Sequence, residues 1–440
     1  MRLTQVKNLK TVDALRSHLD SLGVSLPLDD EVDAGGVLST PIDTGVGVAA
    51  NRFAILPMEG WDGTEDGAVT DLVRRRWSRF GASGAGLVWG EATAVRRDGR
   101  ANANQLVIDH VAGLRELLDP AQVCGLQLTH SGRWSKPTPR TAHVHPELDR
   151  RLGTGPDDVF TDDELDELAD QYVRAAVLAH EAGFDFVDVK HCHGYLLHEL
   201  LGARNRPAGR YADDRTLFLR TVVDGVRGKA PDLGIAVRLS AFDVVPFTKG
   251  DDGVGVPVVG DHPAPYSLDE AHGFLDVCES LGIRLVSITG GSPYYCPHVQ
   301  RPAYFPPSDG YTPPEDPLVG VARQVSAVTE LAARHPSLVL VASALSYLQQ
   351  WLPNVAQALV RDHGVAFAGL GRMALSYPDL PHDVLAGRPL DARMICRTFS
   401  DCTTAPRNGL VSGCFPLDPF YKEHPQRVQL AAIKRATKTS

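Results

Sequence analysis

The strongest constraint on this chain is a series of eight short apolar runs: Gly47–Pro57, Ala85–Ala92, Val123–His130, Phe184–Cys192, Ile235–Ala241, Arg284–Thr289, Leu338–Ala344 and Ala366–Leu370. Most are continuous rather than alternating, as expected of parallel strands covered on both faces. The stretches between them carry helical periodicity. In 162–182, Thr161 and Glu164 form a capping box, and Leu165, Leu168, Tyr172, Val173 and Ala176 mark an apolar stripe. Asp214–Lys229, Leu268–Leu281, Leu318–Arg334 and Gln349–Arg361 follow the same logic. Alternation repeated eight times predicts an α/β fold closed as a single (β/α)8 barrel, and insertions account for the length of 440 residues. The competing open, doubly wound sheet lacks its best mark, a Gly-x-Gly-x-x-Gly opening a helix.

Four stretches lie outside the bare barrel. Residues 1–43 form an N-terminal extension with a helix at Val12–Leu22, expected to pack on a barrel of residues 44–440 that ends in a helical tail. Lys136–Pro156, Thr248–Pro265 and Pro293–Pro317 are long loops after strands, which places them at the C-terminal mouth where barrel active sites are built. A net charge of -10 speaks against a nucleic-acid partner. No stretch approaches the roughly 18 apolar residues of a membrane span, and the N-terminus has no apolar signal core. Seven scattered cysteines do not form a disulfide framework, and a cytoplasmic protein with buried thiols at Cys124 and Cys278 is expected. The partner expected is a small-molecule substrate, with a homodimer as the default assembly.

Polar residues cluster where strands end. The third run closes with Gln127-Leu-Thr-His130-Ser-Gly-Arg133, the fourth with Lys190-His-Cys-His193-Gly-Tyr195, the fifth with Arg238 and the eighth with Gly369-Leu-Gly371-Arg372. Their side chains are expected to share one pocket. Glycines that let backbone N–H groups approach an anion, followed by the donor fork of Arg372, read as a phosphate site. A buried Arg238 needs an anion, either a structural carboxylate (Asp188 or Asp243) or a ligand. Lys190 and His193 can grip an oxygen that gains charge, and Tyr195 can deliver a proton.

These segments, with Asn51-Arg52-Phe-Ala-Ile-Leu-Pro57-Met58, resemble in order the signatures of the old yellow enzyme family across about 49–416. The resemblance implies non-covalent FMN reduced by NADH or NADPH, and hydride transfer from flavin N5 to an activated C=C bond. It implies that Pro57, Met58, Glu59, Ala92, Gln127, Arg238, Ser343, Ala344, Gly369, Gly371 and Arg372 bind the cofactor. It further implies that Lys190, His193 and Tyr195 are catalytic, with Tyr195 as proton donor.

Departures qualify the resemblance. The family has His-x-x-His or His-x-x-Asn where this chain has Lys190-x-x-His193; Lys190 either binds a substrate anion or pairs with Asp188. His191 is expected to point away. Position 59 usually holds Thr or Cys, so Glu59 either turns outward or serves a different substrate chemistry. The dienoyl-CoA reductase-like subgroup binds an iron-sulfur cluster through four cysteines. Here only Cys402 and Cys414 fit its spacing, with Ile395 and Thr398 at the other positions and Cys396 out of step, so no metal is expected. Two rivals to the alkene reductase remain: a flavin-dependent dehydrogenase or oxidase, and a non-redox aldolase-type lyase using Lys190 as a Schiff-base nucleophile.

Overall fold

The computed structural model describes residues 3–263 and 265–439. Eight parallel strands close into one barrel: β1 (Phe53–Ile55), β2 (Leu87–Ala94), β3 (Val123–Thr129), β4 (Phe186–Val189), β5 (Gly234–Ser240), β6 (Leu285–Thr289), β7 (Val339–Ala342) and β8 (Phe367–Leu370). Each pairs with the next, and β8 returns to β1 through Ala368 opposite Phe53. The expected (β/α)8 barrel is the observed fold.

Side chains fill the interior. Trp89 and Phe186 meet edge to face at 5.1 Å between ring centroids. Gly125 makes room for them, because a Cβ there would lie 2.1 Å from the Phe186 ring. Ile42 and Val46, from the hairpin pairing Ile42–Asp43 with Val48–Ala49, pack against this inner cluster. A second and larger core lies between the sheet and the helices.

Most predicted helices appear within a few residues of their expected ends, and Val12–Leu22 matches residue for residue. The N-terminal segment lies against the β7–β8 crossover: Trp351 Nε1 donates to Leu9 O, and Arg361 pairs with Asp29. Three expectations need correction. The first run splits, because Asn51 Oδ1 accepts from Phe53 N and Gly86 N and so turns the chain between the hairpin and β1. The connection from β2 to β3 holds no α-helix, only three short 3₁₀ turns. The loops carry elements of their own: a helix at Pro146–Leu152, a hairpin of Phe247–Lys249 with Gly255–Pro257, and a single turn at Pro297–Gln300. No helix of the described residues is long and apolar enough to cross a membrane.

The segment after β3 also departs from expectation. His130 and Arg133 do not face the mouth. His130 Nδ1 accepts from Gly132 N, and burial pushes its pKa down to about 3. Arg133 is buried and binds Glu199, Asp149, the Thr154 hydroxyl and His143 O. It ties the loop after β3 to helices Pro146–Leu152 and Leu196–Leu201. Removing one partner of such a network strands buried carboxylates. Arg133→Ala is therefore expected to cost about 3–5 kcal/mol, seen as a lower urea midpoint at an unchanged slope.

Candidate active site

All eight strand ends contribute to one cavity of about 220 Å³ at the C-terminal mouth. Pro57, Met58 and Glu59 follow β1, Ala92 lies in β2, and Gln127 lies in β3. Lys190, His193 and Tyr195 follow β4, and Arg238 lies in β5. Ser343 and Ala344 follow β7, and Gly371 and Arg372 follow β8. A bulge at Glu91 in β2 sets Ala92 opposite Gln127, on the cavity side.

Asp188 organises the floor. Its carboxylate accepts from Trp89 Nε1 at 2.8 Å, Gln127 Nε2 at 2.6 Å and the Arg238 backbone N–H at 2.8 Å. Burial lifts its pKa to about 6. These donors occupy it, and among the described residues Lys190 forms no ion pair with Asp188 and the Arg238 guanidinium none with Asp188 or Asp243, so the three structural pairings open to the sequence are absent. Arg238 Nη2 instead reaches Ser343 Oγ at 3.5 Å, and its Nε has no partner. Arg372 Nη2 donates to Pro302 O at 2.7 Å while Nη1 has none.

The β4 end is built around a left-handed turn. His193 has φ 68° and Gly194 φ 74°, a conformation costly for a non-glycine residue. Ser240 Oγ accepts from His193 N, and Ser292 Oγ donates to His193 O. Burial, with Arg238 and Lys190 nearby, holds the imidazole pKa well below its usual value, so it is neutral. The Lys190 ammonium lies 3.8 Å from the centre of the Tyr195 ring. Its pKa is lowered by burial, with Cys192 and Glu59 pulling it back up. The Tyr195 hydroxyl hydrogen-bonds that of Tyr294 at 2.9 Å, and burial raises its pKa well above 10. His191 points away, with Nδ1 2.7 Å from Val189 O and its ring against Phe274.

Of the proposed site residues, only Gly369 falls outside. It sits within β8, where a Cβ would meet Ala342 O at 2.2 Å, so its role is packing. Glu59 faces inward, against the reading that turned it outward. Sequence reasoning missed Trp61, Tyr294, Arg301, Cys402 and Arg407. Tyr294 stacks on Trp134 at 4.1 Å between centroids; the aromatic loop 293–317 was its only signal. Arg301 sits at no strand end, and Cys402 and Arg407 belong to helix Asp401–Arg407 in the tail.

Five cations line the cavity (Lys190, Arg238, Arg301, Arg372, Arg407) against one carboxylate, Glu59. Arg407 pairs with Asp309. The others have no ion pair among the described residues. Arg301 Nη2 is buried without a partner, and burial together with Arg407 and Arg372 lowers its pKa to about 9. Unneutralised buried guanidinium groups are costly. The cavity therefore fits a ligand with an acceptor edge beside Gln127 and Arg238 and an anionic group beside Gly371 and Arg372.

The profile of the NADH:flavin oxidoreductase / NADH oxidase family matches residues 37–259. A metal reductase of Desulforamulus reducens is 27% identical over 372 residues, 81% of this chain and 50% of that protein. The chain thus spans about half the length of that relative. An NADPH dehydrogenase of Listeria monocytogenes is 30% identical over 232 residues, 48% of this chain and 68% of the relative. An old yellow enzyme homologue from Zymomonas mobilis superposes with a TM-score of 0.56 at 21% identity, covering 81% of this chain and 94% of that one. At that identity the likeness concerns the fold.

The two glycines after Phe367 separate packing from ligand access. Gly369→Ala is expected to lose about 3 kcal/mol through overpacking. Gly371→Ala, whose Cβ has no neighbour closer than 3.7 Å, keeps near-wild-type stability. Thermal denaturation of the two variants checks this.

Proposed function

Because the chain belongs to the NADH:flavin oxidoreductase / NADH oxidase family of old yellow enzyme homologues, FMN proteins that take electrons from NADH or NADPH, we propose that it reduces an activated C=C bond of an α,β-unsaturated carbonyl or related conjugated small molecule. The observation that carries this reading is the convergence of Lys190, His193 and Tyr195 on a cavity whose two ends hold unpaired buried arginines. When bound, FMN supplies the hydride that reaches the β-carbon of the alkene. The residues to hold it are Gln127 and Arg238 at one end, Gly371 and Arg372 at the phosphate end, and Pro57, Met58, Ala92, Ser343 and Ala344 along the walls.

The chain's own groups do the rest. The Lys190 ammonium and neutral His193 bind the substrate oxygen and stabilise the charge it gains. A desolvated ammonium is worth more here than in water, because no solvent competes with it. Tyr195 gives its proton to the α-carbon. The ammonium over its ring lowers the cost of the phenolate left behind.

Glu59, turned inward, supports a second reading in which the same site removes hydride from its substrate with the carboxylate as base. Family membership leaves no support for the aldolase reading of Lys190.

Purified protein is expected to show flavin absorption that NADPH or NADH bleaches and an enone restores. Bleaching by a candidate substrate alone would favour the dehydrogenase direction. Tyr195→Phe should slow reoxidation by an enone by roughly 10²–10⁴-fold and leave bleaching by NADPH intact. Lys190→Met should lower kcat/KM for the enone by roughly 10²–10³-fold. Stopped-flow measurement of the two half-reactions checks both.

A further inference from the structure

Tyr195 presents a supply problem that the mechanism leaves open. It is buried, and the partner of its hydroxyl is a second tyrosine, the half-buried Tyr294 on the same cavity wall. Burial raises both pKa values above the usual phenol range, so a phenolate left at this pair must be reprotonated before the next turnover. Each turnover nevertheless consumes one proton at this pair.

We propose that Glu59 is the proton reservoir of the site, refilling the Tyr195–Tyr294 pair from the solvent side. This rests on the reductase reading given above. Glu59 lines the main cavity with Tyr195 and Tyr294. It also lines a second, smaller cavity of about 20 Å³, bordered by Arg75, Arg79, Cys414 and Tyr421. That space exceeds the roughly 10–15 Å³ that a water molecule requires. Glu59 therefore stands where the two cavities meet.

The surrounding chain holds it there. Trp61 adopts φ 50°, and its indole N–H donates to Glu59 Oε1. The intervening Gly60 has no room for a side chain, since a Cβ would lie 2.2 Å from Arg76 Nη1. Its N–H donates to Glu91 at 3.3 Å. The left-handed Trp61 is thus part of the device that aims the carboxyl inward.

The neighbouring carboxylates are committed elsewhere. Glu91 accepts from Arg76, Trp77 and Gly60, Asp62 is paired with Arg76, and Asp188 carries its three donors. Glu59 has no arginine partner. The groups facing it are Lys190 from the β4 end, Glu91 from β2, Arg76 from helix Asp71–Gly81, and the two tyrosines. On the side of the small cavity, Arg75 and Arg79 are neutralised by Asp418. Burial is the largest influence on Glu59 and raises its pKa to about 7, with Lys190 and Trp61 opposing.

The proton balance closes. The Tyr195 O–H bond breaks as its proton reaches the α-carbon, and Tyr294 passes its proton to Tyr195. Glu59 then gives its proton to Tyr294 through a water in the main cavity, a downhill step from carboxylic acid to phenolate. The Glu59 carboxylate faces Lys190 until it takes a proton from solvent through the small cavity.

The test uses the FMN-loaded enzyme and Glu59→Gln. In the wild type, refilling of the tyrosines, read as the steady-state rate of enone reduction, should slow as pH rises through about 7, because the acid form of Glu59 is the donor. Glu59→Gln should slow that step roughly ten- to a hundredfold, remove its pH dependence there and retain FMN; Glu59→Asp should restore part of both. Infrared difference spectra of the wild type should show a carboxyl C=O band that titrates near pH 7 and is missing from Glu59→Gln. An unchanged rate and pH profile, no such band, or loss of FMN from Glu59→Gln would each overturn the relay. Failure of the underlying reading would appear instead in the wild type, as an enzyme that binds no FMN or reduces no enone.

Discussion

Closure of eight parallel strands governs everything else in this protein. A parallel sheet buries both faces; joining β8 to β1 also removes its exposed edges and leaves one mouth towards which all the strands run. The interior is filled by Trp89, Phe186 and their neighbours, so it offers no room for a ligand. Ligand space is left only above the last layer of side chains. There the strand ends deliver polar residues that are distant in sequence, and Asp188 locks three of their elements together through Trp89, Gln127 and the Arg238 backbone.

The mouth carries a charge pattern opposite to that of the molecule. The chain has net charge -10, yet its main cavity is lined by five cations and one carboxylate. Arg407 is paired with Asp309, but the acids that could neutralise the other four are engaged elsewhere: Asp188 with hydrogen-bond donors, Asp243 with Tyr295, and Glu199 and Asp149 with Arg133. A site arranged in this way is incomplete without an anion, because guanidinium groups kept from both water and counter-ion cost free energy. Backbone strain concentrates here too, with Trp61, His193 and Ala344 all in the left-handed region and all on the cavity wall.

The barrel was legible because its signals are local and repeated. Continuous apolar runs mark strands covered on both sides, and capping residues such as Thr161 mark helix starts. The polar strand ends followed from the same count, and the place of Gly371 and Arg372 at the mouth with them. Legibility failed where a side chain had a choice of direction. Arg133 lies three residues beyond His130 at a strand end, yet it turns into a buried carboxylate network supplied by two later helices. Gly369 and Gly371 look alike in sequence and differ only in what a Cβ would meet.

What the sequence determined by itself was therefore the alternation of elements, the closure of the barrel and the identity of most groups at its mouth, since these depend on periodicity and strand order. Only the tertiary structure decided that Glu59 faces the cavity, that Lys190 sits over Tyr195 without an ion pair, and that Arg301, Arg407 and Tyr294 join the site. The physical reason is that charge state and direction depend on desolvation and on competing partners. Both are set by segments far apart in the chain, and neither leaves a periodic trace in sequence.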